Sequence, residues 1–223
     1  MPETRPPLPT FIRLRLTTRA VMIGERVKKG TFRPCVETLP TSTLMGCFQE
    51  HFGLKETAAI GFFESASYRK EVFTYAPFDA CVGTAKLPLT CEYLAPAAGW
   101  QKIEGDIYVA ATPEARTIFT PGQDPWTIAL GAMRSKGFGQ CSLEYIEEIT
   151  PTRQTGYLRG HLRESDAPAF GIDLTRDLIR PYYGYLFRPD VHRIGGRYER
   201  ALLTGTILTG PDFLFREEYV YDL

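Results

Sequence analysis

Residues 11–17 alternate between apolar and cationic side chains. Ile12, Leu14 and Leu16 fall on one side of an extended chain, and Arg13 and Arg15 on the other. That period of two predicts a half-buried strand with a basic outer face. Residues 23–34 set Arg26, Lys28, Lys29 and Arg33 around Gly24 and Gly30 and read as a basic loop. The period then changes. Leu44, Cys47, Phe48 and Phe52 recur at helical spacing. Thr41 or Ser42 stands where an N-cap accepts from first-turn amides, and Gly53 stands where a helix stops. Gly46, inside that helix, costs about 1 kcal/mol against alanine, which predicts close approach of another backbone.

Residues 60–63, 68–75, 80–89 and 107–111 read as strands separated by Pro and Gly. Residues 112–122 read as a loop or hairpin carrying Arg116 and Phe119. Asp124 or Pro125 then opens a second predicted helix, with Ile128, Leu130 and Met133 as its apolar positions. A strand with Cys141, Leu143 and Tyr145 on one face follows. Strand, helix, strands, helix, strand is the order of an α+β, ferredoxin-like (RRM-like) core, β-α-β-β-α-β, here with a long middle insertion. The expected organisation is a disordered Pro-rich tail (1–9), the ferredoxin-like domain (10–150) and a β-rich C-terminal extension (151–223). Residues 151–156 read as a break. Beyond it, Leu158, Gly160 and Leu162 alternate with Arg159, His161 and Arg163, a strand with a basic face. Residues 182–187 are aromatic, and 201–208 read as a terminal strand.

Composition narrows the function. The 223 residues allow one large domain, or a domain and an extension. Lys and Arg number 26, as do Asp and Glu, so the net charge is zero. Nucleic-acid binders are usually basic overall, so any such surface here must come from local segregation of charge. Cys35, Cys47, Cys81, Cys91 and Cys141 are odd in number and contain no Cys-x-x-Cys pair. This argues against structural zinc and a secreted disulfide scaffold, and for reduced, mostly buried thiols in a cytoplasmic protein. No run approaches the roughly 18 apolar residues of a membrane span. The aspartates are scattered without the spacing of a metal site, and no cofactor is expected.

Residues 132–141 are the most informative stretch. They read as a helix end, a glycine turn and a strand start, with Arg134, Lys136, Gly137, Phe138 and Gly139 in the turn. Rossmann and P-loop nucleotide sites run strand, glycines, helix, so that geometry is excluded. A short glycine loop flanked by cations suits an extended polyanion, with backbone amides and Arg134 and Lys136 on phosphates. With residues 39–46, Leu-Pro-Thr-Ser-Thr-Leu-Met-Gly, this loop resembles the RAMP superfamily of CRISPR-associated proteins. The helix start, carrying Ser42, Thr43 and Gly46, is most similar to the small backbone subunit that holds the 5′ handle of the guide RNA in type I and type IV effector complexes. The resemblance implies a non-catalytic subunit that grips the handle and caps a protein filament. Its partners would be the guide RNA, the repeating backbone subunit, a large subunit and, indirectly, the target nucleic acid, with no membrane. It also implies a β-hairpin thumb that intercalates into the guide–target duplex, at residues 68–75 or 116–119.

Arg13, Arg15, Lys28, Lys29, Arg33 and Arg116 complete the expected RNA-binding set, since single-stranded RNA commonly lies on the exposed face of RRM sheets. An alternative function is a metal-independent endoribonuclease processing precursor guide RNA. It needs a general acid and base near a 2′-hydroxyl, for which His51, His161 and His192 are the weak catalytic candidates. A third reading is a ferredoxin-like interaction protein without RNA. The aromatic run at 182–187 can stack bases or serve as half core, half interface, and the second is the commoner use.

Overall fold

The computed structural model describes residues 5–24, 31–55, 57–79, 81–123, 125–189 and 196–215; of residues 187–189 only the backbone is described. In chain order the strands and helices are β1 (Phe11–Thr18), β2 (Phe32–Arg33), β3 (Thr38–Leu39), α1 (Thr41–Phe52), β4 (Ala59–Phe63), β5 (Tyr68–Tyr75), β6 (Phe78–Asp79), β7 (Thr84–Ala85), β8 (Leu89–Pro96), β9 (Ile103–Ala110), α2 (Pro113–Ile118), β10 (Trp126–Ala129), β11 (Gln140–Ile149), β12 (Arg153–Tyr157), β13 (Leu162–Arg163), β14 (Leu178–Arg180), β15 (Tyr183–Pro189), β16 (Gly196–Leu202) and β17 (Ile207–Pro211).

The main sheet has the order β10-β11-β1-β9-β4-β3, and its strand pairs are antiparallel. Its centre, β11-β1-β9-β4, is the 4-1-3-2 order of the ferredoxin-like unit, with α1 after the first strand and α2 after the third. Ile12, Leu14 and Leu16 point to the helical side, as their alternation predicts. There they join Leu44, Cys47 and Phe48 of α1, Ala115 of α2 and Phe119 just beyond it in one buried cluster. Gly53 ends α1 in the left-handed region at φ 69°, with its N–H on the Gln49 carbonyl. At the other end neither Thr41 nor Ser42 caps. Pro40 occupies the N-cap position without a side-chain bond, and its carbonyl accepts from Thr43 and Leu44 N–H instead.

The second helix is not at 125–133. It is α2, capped by Thr112, whose Oγ1 accepts from Ala115 N–H at 3.2 Å, with Pro113 in its first turn. This is the segment expected to be a loop or hairpin. Trp126, Thr127, Ile128 and Ala129 form β10, paired with β11. Gly131 (φ 77°) and Met133 (φ 57°) then adopt left-handed conformations that no right-handed helix accepts. The glycine loop is therefore the link of a β-hairpin.

The insertion between β4 and β9 is a long hairpin. Strand β5 pairs with β8 from Tyr68↔Pro96 to Tyr75↔Leu89, and the tip continues as the β6–β7 pair. Strand β2 adds to it in parallel. Residues 80–89, expected to be a strand, include the turn at 81–83 and the two-residue β7. Phe78, Val82 and Leu87 stand exposed around the tip. The other thumb alternative is excluded, because Arg116 belongs to a helix and Phe119 is buried.

The C-terminal extension packs on the outer face of the main sheet. It contains the sheets β12-β17-β14 and β13-β16-β15, so residues 153–157 are strand rather than break. Phe11, Ile60, Phe62 and Tyr108 of the main sheet share a second buried cluster with Leu158, Phe170, Phe213 and Leu214. Tyr108 stacks on Phe213 with ring centroids 4.0 Å apart. The expected terminal strand at 201–208 is divided between β16 and β17. The expected basic face of residues 158–163 does not form. Arg159 lies 3.8 Å above the Phe62 ring, and Arg163 is 2% exposed.

Of the five thiols, four are buried and Cys81, near the hairpin tip, is exposed. Burial pushes the Cys35 and Cys141 thiols up to about 11 and Cys47 to about 12, so these three are poor nucleophiles at neutral pH. Among the described residues no helix is long and apolar enough to cross a membrane.

Candidate nucleic-acid interface

The two motifs singled out in the sequence meet in space. Pro40, Ser42, Thr43, Gly46 and Glu50 along α1 face Gly131, Ala132, Met133 and Arg134 across an open groove of about 1440 Å³. Helical periodicity explains α1's share. Leu44, Cys47 and Phe48 turn into the core, which leaves Ser42, Thr43 and Gly46 on the opposite flank. A methyl group added to Gly46 would meet nothing within 4 Å. The close backbone predicted there is thus not supplied by the described chain, and Gly46 opens onto the groove.

The loop contributes its first half. Gly131 is required by a close approach: Ala132 N–H donates to the Met22 carbonyl at 2.8 Å, and a Cβ on Gly131 would overlap that oxygen. The second half is committed elsewhere. Gly139 N–H donates to the Ala20 carbonyl, Gly137 N–H to that of Arg134 and Lys136 N–H to that of Met133, so these amides do not cradle a phosphate. Phe138 packs between Phe73 and Tyr93 of the hairpin at 5.5 and 5.0 Å. The Lys136 ammonium lies 4.7 Å from the Tyr75 ring centroid. Residues 136–139 therefore buttress the middle and the tip-side half of the β5–β8 pair.

Arg134 is the loop cation that lines the groove, and it is partnered: its Nη1 donates to both carboxylate oxygens of Glu50 at 3.0 and 2.8 Å. Both groups are about half exposed. Such a pair contributes little to stability, about 0–1 kcal/mol, and a phosphate can displace the carboxylate. Arg33 also lines the groove.

The outer-face cations behave differently. Arg13 donates to Asp106 at 2.8 Å and Glu147 at 3.0 Å; Arg15 donates to Asp106 at 2.9 Å and Glu104 at 3.0 Å. Glu144 stands opposite Arg15 in the strand register. Two guanidiniums thus face Glu104, Asp106, Glu144 and Glu147, and this face is acidic rather than basic. Its other end is covered by the C-terminal extension. On the sheet face that RRM modules use, Arg13 and Arg15 are thus spent on carboxylates, and part of the face is buried. Arg116 is held by Glu148 of β11. Lys28 and Lys29 lie outside the described residues.

Among the histidines, His161 lines the groove, with Nδ1 3.4 Å from Thr38 Oγ1. His51 Nε2 accepts from Ala129 N–H at 3.0 Å, fastening the end of α1 to β10. His192 lies outside the described residues. Among the described residues no group of His, Cys, Asp or Glu is arranged to hold a metal ion.

Sequence reasoning missed the third wall of the groove. Tyr185, Leu186, Tyr198 and Leu203 come from the β15–β16 hairpin and the residue after it, and β15 packs against α1. The aromatic run at 182–187 was its signal. Glu50 carried none.

No family model and no curated protein matches the sequence. Solved structures share the fold. One chain of the Type III-B Cmr-beta bound to cognate target RNA and AMPPnP aligns with a TM-score of 0.57 and 9% identity, covering 88% of this chain and 86% of that one. A chain of a second Cmr-beta structure, bound to cognate target RNA, gives 0.55 and 10% over the same shares. A chain of a CRISPR RNA-guided surveillance complex gives 0.48 and 16% over 92% of each. At such identities the likeness to the two Cmr-beta chains is one of fold.

Proposed function

We propose that this chain is a non-catalytic RNA-binding and scaffold subunit of a CRISPR effector complex. It grips the 5′ handle of the guide RNA in the groove between α1 and the glycine loop, and caps one end of the backbone filament. The observation that carries the reading is the convergence of two sequence motifs, 92 positions apart at Ser42 and Arg134, on one open groove. The fold shared with chains of the RNA-bound Cmr-beta supports it. So does zero net charge, which suits a subunit that shares its RNA with neighbours.

Within the groove, Arg134 and Arg33 are the phosphate-binding cations, and the Ser42 and Thr43 hydroxyls contact ribose or phosphate. Interactions of this kind fix register without reading bases. The β5–β8 hairpin acts as the thumb, and Phe78, Val82 and Leu87 are the apolar wedges presented for insertion between base steps.

The test is binding of RNA carrying a repeat-derived 5′ handle, followed by fluorescence anisotropy. Arg134→Glu weakens binding about tenfold or more, the effect of removing one charge-assisted hydrogen bond, at unchanged thermal stability. Glu50→Gln acts in the opposite direction. It frees Arg134 from its competing carboxylate and tightens binding about two- to fivefold. If Arg134 serves only to hold the end of α1, neither substitution changes RNA affinity, and the reading fails.

A second reading is kept by one observation, the position of His161 in the same groove. If the protein is a processing endoribonuclease, repeat RNA incubated without metal is cut at one site, and His161→Ala abolishes the cut.

A further inference from the structure

The β15–β16 hairpin carries a group of aromatic side chains that the core does not use. Tyr183 is 44% exposed, Tyr185 69% and Tyr198 45%. Strand β15 is the edge of its sheet. Tyr185 and Leu186 are consecutive and so point to opposite faces of the strand, yet both line the groove. The groove therefore runs along this edge, where one row of backbone N–H and C=O groups has no partner strand among the described residues.

One cation on this hairpin is arranged for stacking. Arg200 stands opposite Tyr185 in the register, and its guanidinium lies 3.8 Å above the Tyr183 ring, with Nε 3.2 Å from Glu164. Arg200 is thus held against one ring, beside the far more exposed Tyr185.

We infer that Tyr185 and Tyr198 form a stacking platform for unpaired RNA bases, with Tyr183 and Arg200 as its fixed support. Resting on the proposed handle-binding role, this names what the groove's third wall does: α1 and the glycine loop hold the ribose-phosphate chain, and the hairpin receives the bases turned away from it. A flat aromatic face accepts any base, so the platform adds affinity with little sequence preference. The alternative use of exposed Tyr and Arg is a protein–protein interface. Base stacking is favoured because the rings line the groove that also holds Arg134 and Ser42, rather than a separate convex surface.

The test is a cycle between protein and RNA substitutions. The handle RNA is made with an abasic ribose at each position in turn, and each version is titrated against wild type, Tyr185→Ala, Tyr198→Ala and Tyr185→Phe. Wild type loses about five- to a hundredfold affinity at one or two abasic positions. Tyr185→Ala shows a comparable loss on intact RNA and no further loss at one of those positions. Tyr185→Phe, which keeps the ring, binds as wild type does. Alanine variants that bind every RNA as wild type overturn the platform, even where Arg134→Glu still weakens binding. If those same variants fail to assemble with other subunits, the surface belongs to a protein partner. If Arg134→Glu is also without effect on RNA, the handle-binding reading falls as well, so the two failures are separable.

Discussion

Replacing Arg163 with leucine lowers the stability of the protein by about 3–5 kcal/mol, the usual cost of removing one partner from a buried ionic cluster. Arg163 is 2% exposed. Its Nε and Nη2 donate to Asp166 at 2.7 and 2.8 Å, and Nη1 donates to Glu199 at 2.9 Å. Nη2 also meets the Met45 sulfur of α1 at 2.7 Å. Without the guanidinium, two carboxylates face each other in a poorly solvated site. The link from the C-terminal extension to α1 through Met45 disappears with it. Urea unfolding followed by tryptophan fluorescence reads the change. Arg197→Ala is the control, because Arg197 pairs with the same Glu199 from a side chain 71% exposed; its removal costs less than about 1 kcal/mol. Equal effects from the two substitutions would show that burial does not govern this cluster.

The second large effect is at Gly139. Its φ is 79°, and a Cβ there would overlap the Leu130 carbonyl oxygen, beside the Leu130 N–H to Gly139 carbonyl bond of 2.8 Å. The left-handed conformation alone costs an alanine about 1–3 kcal/mol, and the overlap adds to it by forcing the β10 and β11 ends apart. Gly137 has φ 90° but open space around a Cβ, so Gly137→Ala bears the conformational cost only. Gly139→Ala is therefore the more destabilising of the two in thermal denaturation. The reverse order would mean that Gly137 has a neighbour the described residues do not supply. These glycines serve the backbone of the hairpin link before they serve any ligand.

A glycine loop can thus be visible in a sequence while its use is not. The strands at 11–18 and 68–75 and the helix ending at Gly53 are legible because each repeats its period several times. Helix α2 has six residues, too few for a period of 3.6 to register, although Thr112-Pro113-Glu114 carries a start signal. Strand β10 reads as a helix once Ile128 and Leu130 are joined to Met133; the spacing of the first two is equally that of a strand. The basic outer face failed for a different reason. Arg13 and Arg15 are neutralised by residues about 90 and 130 positions away, and only the strand order β11-β1-β9 brings those carboxylates alongside. The candidate site was half legible. Both motifs are visible, but the loop presents residues 131–134 to the groove and turns 136–139 to the β5–β8 hairpin. The third wall comes from the C-terminal extension, whose folding back against α1 no local pattern encodes.

The proposed RNA path lies between α1 and the first half of the glycine loop. Photo-crosslinking tests it most directly, with 4-thiouridine placed at each handle position and adducts located by mass spectrometry. Adducts are expected in peptides spanning residues 40–50 and 129–136. Adducts confined to the acidic sheet face around Arg13, Asp106 and Glu147, or none above those of an unrelated RNA of equal length, would contradict it.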